Sequence, residues 1–261
     1  MWRKYSAIAR MNILNALQYP ANLVARMVFY TVFISIFFCL WGDIYQTSAV
    51  HGYTFTQMIW YLCITELITF CARSDIYRQM STDIKNGDIA YLLVRPCNYV
   101  WFQFSFSLGE MLASLAMFGS YAIALAWVYV GPLPYFPWGG IIPMIMSVLL
   151  GIALNFFMLM ILGMTAFLWE ENSGFYLVFQ KLVFMLGMFM PVEFLPVWLQ
   201  NVTKLLPFSY ITWAPARLIV AFDWAFFWQV FPVQLMWTVG FIALAMFVYS
   251  RAVVYVQGHG G

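Results

Sequence analysis

Long apolar stretches alternate with short polar segments along the whole chain. A helix needs about 20 apolar residues to cross about 30 Å of hydrocarbon, and six stretches meet this requirement. The pattern predicts an all-α integral membrane protein with one transmembrane domain over 1–261. The fifth span is the shortest and carries Lys181, and Pro232 predicts a kink in the sixth. The predicted spans are 23–41, 55–72, 99–130, 141–167, 174–190 and 227–249.

Composition agrees with this class. Of the 261 residues, 64% are hydrophobic and 8% are charged, whereas a soluble domain has about 25% charged residues. So few charges do not cover the surface of a soluble protein, which excludes a soluble enzyme, a disordered chain and a nucleic-acid-binding protein. Neither a disulfide framework nor a metal site is predicted, because the four cysteines form no CxxC pair: Cys39, Cys63, Cys71 and Cys97.

The positive charges are distributed unevenly around the predicted spans. Cytoplasmic loops of membrane proteins carry an excess of Lys and Arg, so the side with ten of the 12 basic residues is predicted to be cytoplasmic. Both termini then lie in the cytoplasm, and the chain is a multi-pass protein of the inner or plasma membrane. The ten are Arg3, Lys4, Arg10, Arg26, Arg73, Arg78, Lys85, Arg95, Lys181 and Arg251.

The first 22 residues precede the first span and carry several of these charges. Trp2, Tyr5 and Ala9 share one face at helical spacing, and cations lie mostly on the other. The pattern predicts an amphipathic helix over 1–22 that lies at the cytoplasmic interface and ends where Pro20 redirects the chain. A simple membrane anchor with no further role explains the same pattern.

The loop 73–98 is the longest polar segment on the predicted cytoplasmic side. Ile76, Met80 and Ile84 form one stripe of a short amphipathic helix, which Asn86 and Gly87 end. The loop is too short for a catalytic domain but suits docking to a soluble partner, since a rigid element transmits force. The alternative is a solvated connector.

The segment 191–223 is apolar but contains four prolines, so no continuous span fits it. Irregular backbone at membrane depth persists only where protein or water satisfies its polar groups. We expect short helices at the outer face that dip back into the bilayer and form a lid or an exit gate. The alternative is an interfacial cap whose tryptophans belong to an aromatic belt. The prolines are Pro191, Pro196, Pro207 and Pro215, and the tryptophans are Trp198, Trp213 and Trp224.

Predicted spans contain the ionisable residues Glu66, Glu110 and Lys181. Such residues are costly in lipid and are functional candidates by default. Glu66 and Glu110 are therefore candidates to line a path through the membrane, with packing or pairing as the alternative for Glu66. Lys181 lies early in the fifth span, from which its long side chain reaches the inner interface.

Motifs for catalysis or nucleotide binding are missing from the sequence. There is no GxxxxGK[ST], GxSxG or HExxH, and the two histidines, His51 and His259, have no partner at ligand spacing. No catalytic residue, cofactor or metal ligand is predicted. The spans show no convincing internal repeat, which gives little support to an inverted-repeat transporter.

Three strings nevertheless resemble one family, the permease subunits of ABC-2 type exporters. The N-terminal stretch resembles the family's interfacial helix that leads into span one. The polar loop resembles its coupling loop, and the proline-containing segment, followed by Pro215, resembles its extracellular re-entrant helices. The strings are WRKYSAIARMNILNALQYPANLVARMVFY, STDIKNGDIAYLLVRPCNY and MPVEFLPVWLQNVTKLLPF.

The resemblance implies an architecture and a set of partners. It implies six helices per subunit, two permease subunits as a homodimer or heterodimer, and two ATP-binding-cassette subunits that bind ATP and Mg²⁺. It also implies that spans two and five face the central cavity. The residues it assigns to ATPase coupling are Asp83, Lys85, Gly87, Asp88, Arg95 and Pro96, and those it assigns to the outer gate are Glu193, Pro196, Trp198 and Pro207.

Two other functions fit the residues. A proton-coupled secondary transporter would use Glu66 or Glu110 as its proton carrier. A scaffold without transport activity would recruit a cytoplasmic partner through the loop 73–98. The sequence does not identify the cargo, because aromatic and Met-rich spans suit both amphipathic substrates and contact with lipid.

Overall fold

The computed structural model describes residues 11, 20–47, 52–72, 75–88, 98–134, 138–169 and 171–259, without the side chains of 20–23 and 252–259. Its regular elements are all helical. The α-helices are α1 (Pro20–Thr47), α2 (Phe55–Cys71), α3 (Ile76–Lys85), α4 (Tyr99–Val130), α5 (Ile141–Met164), α6 (Ser173–Val183), α7 (Val197–Leu205), α8 (Ser209–Val220) and α9 (Trp224–His259). Short 3₁₀ turns cover Trp138–Gly140, Thr165–Phe167 and Val192–Phe194, and a π-helical turn, Phe184–Met188, follows α6.

Five regions are long and apolar enough to cross a membrane, which confirms an all-helical, multi-pass membrane protein. The structure differs from the six-span prediction at the fifth span, because the helical stretch Ser173–Met188 is shorter than the five long regions. At 1.5 Å per residue its 16 residues extend about 24 Å, less than the hydrocarbon core of about 30 Å. The five regions are Val24–Thr47, Phe55–Lys85, Tyr99–Val130, Trp138–Phe167 and Trp224–Arg251.

Local sequence signals explain where two of the long helices begin. Thr54 and Gln57 form a capping box at the start of α2, in which the backbone amide of Gln57 donates to the Thr54 hydroxyl at 3.2 Å. Asn98 caps α4 and accepts from the amide of Val100 at 3.0 Å. Between α2 and α3, Ala72 is extended, with ψ of 132°, so the two helices are separate elements.

The interior is formed by α2 and α5. Helix α2 packs against α1, α4 and α8, and α5 packs against α3, α8 and α9. Helices α1 and α9 expose large apolar side chains, including Phe29 and Trp228, as expected of helices that face lipid. Both helices continue beyond the predicted spans 23–41 and 227–249.

The segment 191–223, called the proline-rich segment below, contains one 3₁₀ turn, α7 and α8. Pro191 precedes the 3₁₀ turn, Pro196 precedes α7 and Pro207 lies between α7 and α8, so these three prolines interrupt the helices as predicted. Pro215 instead lies inside α8, so the expectation that it breaks the helix was wrong. Neighbouring elements can satisfy the backbone around such a proline, and α8 is held between α2 and α5.

Several predicted features lie outside the described residues. These are the interfacial helix 1–22, apart from residue 11 and the backbone from residue 20 onward, and the coupling-loop residues Arg95 and Pro96. The described part of the loop 73–98 consists of residues 75–88 and Asn98.

Candidate functional site

Helix α3 has one buried face and one exposed face. Ile76, Tyr77 and Met80 are buried, and Arg78 and Lys85 are exposed. This agrees with the amphipathic stripe predicted from the sequence, in which Ile84 is the half-buried end. The apolar face thus attaches α3 to the membrane domain, and the charged side chains of Arg78 and Lys85 lie on the exposed face.

The buried face of α3 lies very close to α5 at Gly163. A Cβ atom at Gly163 would lie 2.7 Å from Met80 Cβ and 3.0 Å from the Tyr77 carbonyl oxygen. Both distances are shorter than ordinary van der Waals contacts, so only glycine allows this approach. Helices α3 and α5 therefore pack directly against each other at Gly163.

Asn172 holds α3 to the connection between α5 and α6. Its Oδ1 accepts from the hydroxyls of Tyr77 at 2.8 Å and Ser81 at 3.1 Å. Its Nδ2 donates to the Leu162 carbonyl at 3.3 Å and the Thr165 hydroxyl at 3.2 Å. The residue is 1% exposed, so these four bonds replace its contacts with water.

Replacing Asn172 with alanine should destabilise the chain by about 1–2 kcal/mol, because the buried hydroxyls of Tyr77 and Ser81 lose their acceptor. The exposed Asn201 on α7 provides the control, and Asn201→Ala should have little effect. Thermal unfolding of both purified variants in the same detergent measures the difference. Equal melting temperatures for the two variants would show that the Asn172 bonds contribute nothing measurable.

The end of α3 is tied to the start of α4 through Asp83. The Tyr99 hydroxyl donates to Asp83 Oδ2 at 2.7 Å, and Gln103 Nε2 donates to the same hydroxyl at 2.9 Å. Asp83 is half-buried, whereas Lys85, Gly87 and Asp88 are exposed. Asp83 thus joins α3 to α4, whereas the other three residues lie at the surface.

Gly87 provides the turn that ends α3. Its φ is +77°, a left-handed conformation that costs other L-residues about 1–2 kcal/mol. Its amide donates to the Ile84 carbonyl at 3.1 Å. The predicted helix stop at Asn86 and Gly87 is therefore present, and it directs the chain toward Asp88.

Glu193 is the centre of a polar cluster in the proline-rich segment. Its Oε1 lies 2.5 Å from Arg217 Nε, and its Oε2 accepts from Trp213 Nε1 at 3.1 Å and from the Tyr53 hydroxyl at 3.5 Å. Burial raises the pKa of the Tyr53 hydroxyl above its usual range. The cluster therefore joins three parts of the chain: the 3₁₀ turn at Glu193, helix α8, and Tyr53, which directly precedes the Thr54 cap of α2.

The other predicted gate residues lie around this cluster. Pro196 precedes α7, Trp198 on α7 is 68% exposed, and Pro207 is buried between α7 and α8. The structure therefore places Glu193 and Pro207 in packed positions and Trp198 at the surface.

Gln234 and Gly151 attach α8 to the membrane helices, and sequence reasoning missed both. Gln234 on α9 is fully buried; its Nε2 donates to the carbonyls of Ser147 and Tyr210, each at 2.9 Å, and its Oε1 accepts from the Ser147 hydroxyl at 2.9 Å. A Cβ at Gly151 would lie 2.6 Å from the Ile211 carbonyl oxygen. Gly151 and Gly163 are about 18 Å apart along α5, so one helix contacts both the proline-rich segment and α3.

A comparison with protein-family models relates this architecture to known proteins. The model described as ABC-2 family transporter protein matches residues 24–260, which is most of the chain. The chain belongs to the ABC-2 transporter family. This ABC-2 protein is a membrane component of a transporter and is not itself catalytic. A comparison with curated proteins gives no match.

In this ABC-2 protein the predicted intramembrane residues Glu66, Glu110 and Lys181 have different surroundings. Glu66 on α2 is 2% exposed, and its Oε2 has no hydrogen-bond partner in the part of the chain that the structure describes. Glu110 on α4 is half-buried, and Lys181 on α6 is exposed. Glu66 is thus enclosed by helices of its own chain, whereas the other two reach the surface of the subunit.

Proposed function

We propose that the chain is the transmembrane permease subunit of an ATP-driven exporter in the inner or plasma membrane. It forms the translocation path with a second permease, which is either a copy of itself or a paralogue. Family membership over residues 24–260 carries this proposal. The stretch Ser173–Met188 serves as the fifth of six spans, and both termini lie in the cytoplasm because the basic residues are concentrated on that side.

The exposed surface of α3 and its C-terminal turn contacts a separate ATP-binding-cassette subunit, which binds ATP and Mg²⁺. Lys85, Gly87 and Asp88 are exposed there, and Arg95 and Pro96 continue the same loop. Asp83 positions the loop through its bond with Tyr99. A short helix clamped by Asn172 and by the approach of Met80 to Gly163 moves as a rigid lever.

Helix α5 transmits this movement to the proline-rich segment. It contacts α3 near Gly163 and α8 near Gly151, and Gln234 fixes the latter contact through Ser147 and Tyr210. The proline-rich segment acts as the outer gate, with Glu193, Pro196, Trp198 and Pro207 as gate residues.

The intramembrane glutamates have separate roles in this proposal. Glu110 is half-buried on α4 and is the candidate to line the path between the two permeases. Glu66 is enclosed within the subunit and contributes to the path only if the helices around it separate.

Copurification tests the coupling surface. The tagged chain, purified from native membranes in mild detergent, should retain a subunit with a GxxxxGK[ST] signature, identified by mass spectrometry. Lys85→Glu reverses a charge on the proposed docking surface and should reduce that retention. Lys204→Glu makes the same change on the exposed part of α7 and should have no effect. Equal retention by the two variants would exclude α3 as the docking surface.

Replacing Gly87 with valine should uncouple ATP hydrolysis from gating, because a β-branched residue does not adopt φ of +77° without strain. The reporter is Trp198→Cys on a background without native cysteines, labelled from outside with an impermeant maleimide. ATP should change the labelling rate in the parent complex and not in the Gly87→Val complex. Gly119→Val is the control, since a Cβ there meets nothing within 4 Å and φ is not positive; the same loss in both variants would contradict the role of the turn.

A further inference from the structure

A cavity of about 260 Å³ lies beside the Glu193 cluster, between the proline-rich segment and the first turns of α9. Its walls include the charged side chains of Glu193, Lys204 and Arg217 and the aromatic rings of Trp213 and Phe226. The cavity thus combines cations with an apolar wall, as is typical of sites for molecules that have a charged group on an apolar body.

The charges in this cavity do not balance. Glu193 already has donors from this chain, because Arg217, Trp213 and Tyr53 all approach its carboxylate. The ammonium group of Lys204 is exposed and has no ion-pair partner among the residues the structure describes. One carboxylate and two cations leave a net charge of +1 in the lining.

Arg217 has donor capacity that its neighbours do not use. Its guanidinium carbon lies 3.6 Å from the centroid of the Phe226 ring, and its Nε faces Glu193. Its Nη1 is buried and has no hydrogen-bond acceptor in the described part of the chain. A buried donor without an acceptor is unfavourable. The other cation in the lining, Lys204, cannot provide that acceptor, because a lysine side chain has only donors.

We propose that this cavity binds the phosphate group of an amphipathic molecule. The phosphate oxygens accept from the Arg217 guanidinium and the Lys204 ammonium, since both residues line the cavity and such bonds are charge-assisted. The apolar part of the ligand lies along the aromatic wall. Trp224 and Trp228 expose their rings on the same end of α9, which suits the boundary between headgroups and hydrocarbon. The cargo of the exporter is then a phosphate-bearing amphiphile. This assignment of the cargo rests on the proposed function.

Binding is measured on the purified chain alone, in dodecyl maltoside, by native mass spectrometry with dodecyl phosphate as the probe. Lys204→Gln should weaken binding about tenfold, the loss expected for one charge-assisted contact. The variant should fold normally, because only the backbone carbonyl of Lys204 is hydrogen-bonded, by the Tyr210 hydroxyl. Lys181→Gln makes the same chemical change on α6, where the side chain is exposed, and should leave binding unchanged.

Three further results decide the proposal. Dodecyltrimethylammonium, which has the same tail and the opposite charge, should not compete with dodecyl phosphate. Inorganic phosphate should compete only weakly; competition at equal concentration would show a site for free anions and would overturn the amphiphile. Equal affinity of the parent and Lys204→Gln for dodecyl phosphate would overturn the site itself. Because no ATPase is present, these results are independent of the copurification experiment, which tests the proposed function separately.

Discussion

Replacing Gly163 with valine is expected to abolish ATP-dependent gating of the transporter. The new side chain cannot fit between α5 and α3, because even a Cβ would lie 2.7 Å from Met80 Cβ and 3.0 Å from the backbone oxygen of Tyr77. Helix α3 must shift away from α5, and the Asn172 bonds to Tyr77 and Ser81 are lost with it. We expect ATP to have no effect on the labelling rate of the Trp198→Cys reporter in this variant.

The matched control for Gly163→Val is again Gly119→Val, on α4. It should keep the full ATP response. Both variants should retain the ATP-binding subunit during purification, because neither substitution changes a residue on the exposed surface of α3. A normal ATP response in Gly163→Val would contradict the idea that contact between α3 and α5 carries the movement.

Replacing Glu193 with alanine should cost about 2–3 kcal/mol of stability, since the half-buried Arg217 guanidinium, Trp213 and Tyr53 lose a common charged partner. The apparent melting temperature of the purified variant measures this loss. Asp43→Ala removes an exposed carboxylate from α1 and should change the melting temperature little.

Arg217→Met and the double variant then separate the ion pair from the rest of the cluster. The loss in the double variant should be clearly smaller than the sum of the two single losses, because both single variants break the same contact. Additive losses would show that Glu193 and Arg217 do not stabilise each other.

Helix α3 and its turn were accessible from sequence because their signals are local. Ile76, Met80 and Ile84 repeat at helical spacing, and Gly87 follows Asn86 where the periodicity ends. Burial of one face and a left-handed glycine follow from these signals without knowledge of the partner helix. The same holds for the five long spans, whose apolar length is sufficient evidence.

The contacts of these elements were not accessible, because they join residues far apart in the chain. Asn172 binds residues of α3 nearly a hundred positions earlier, and Gln234 pairs with Ser147. A single asparagine or glutamine has no periodicity that reveals its partner. Glu193 was identified as a candidate, but its pairing with Arg217 and the buried placement of Pro215 depend on how α8 packs.

The fifth span shows a similar limit. Its apolar run predicts one continuous helix, but in the structure α6 ends at Val183 and is followed by a π-helical turn at Phe184–Met188. There the Tyr61 hydroxyl donates to the Gly187 carbonyl at 2.7 Å. This contact from α2 to a backbone oxygen is a tertiary feature that local propensity does not encode.

The most direct measurement uses proteoliposomes that contain the Trp198→Cys chain with or without the ATP-binding subunit. We expect MgATP to change the labelling rate at residue 198 only when that subunit is present, and a pH gradient to have no effect. A change driven by a pH gradient in the chain alone would instead indicate a proton-coupled transporter. No change under any condition would contradict coupling between α3 and the proline-rich segment.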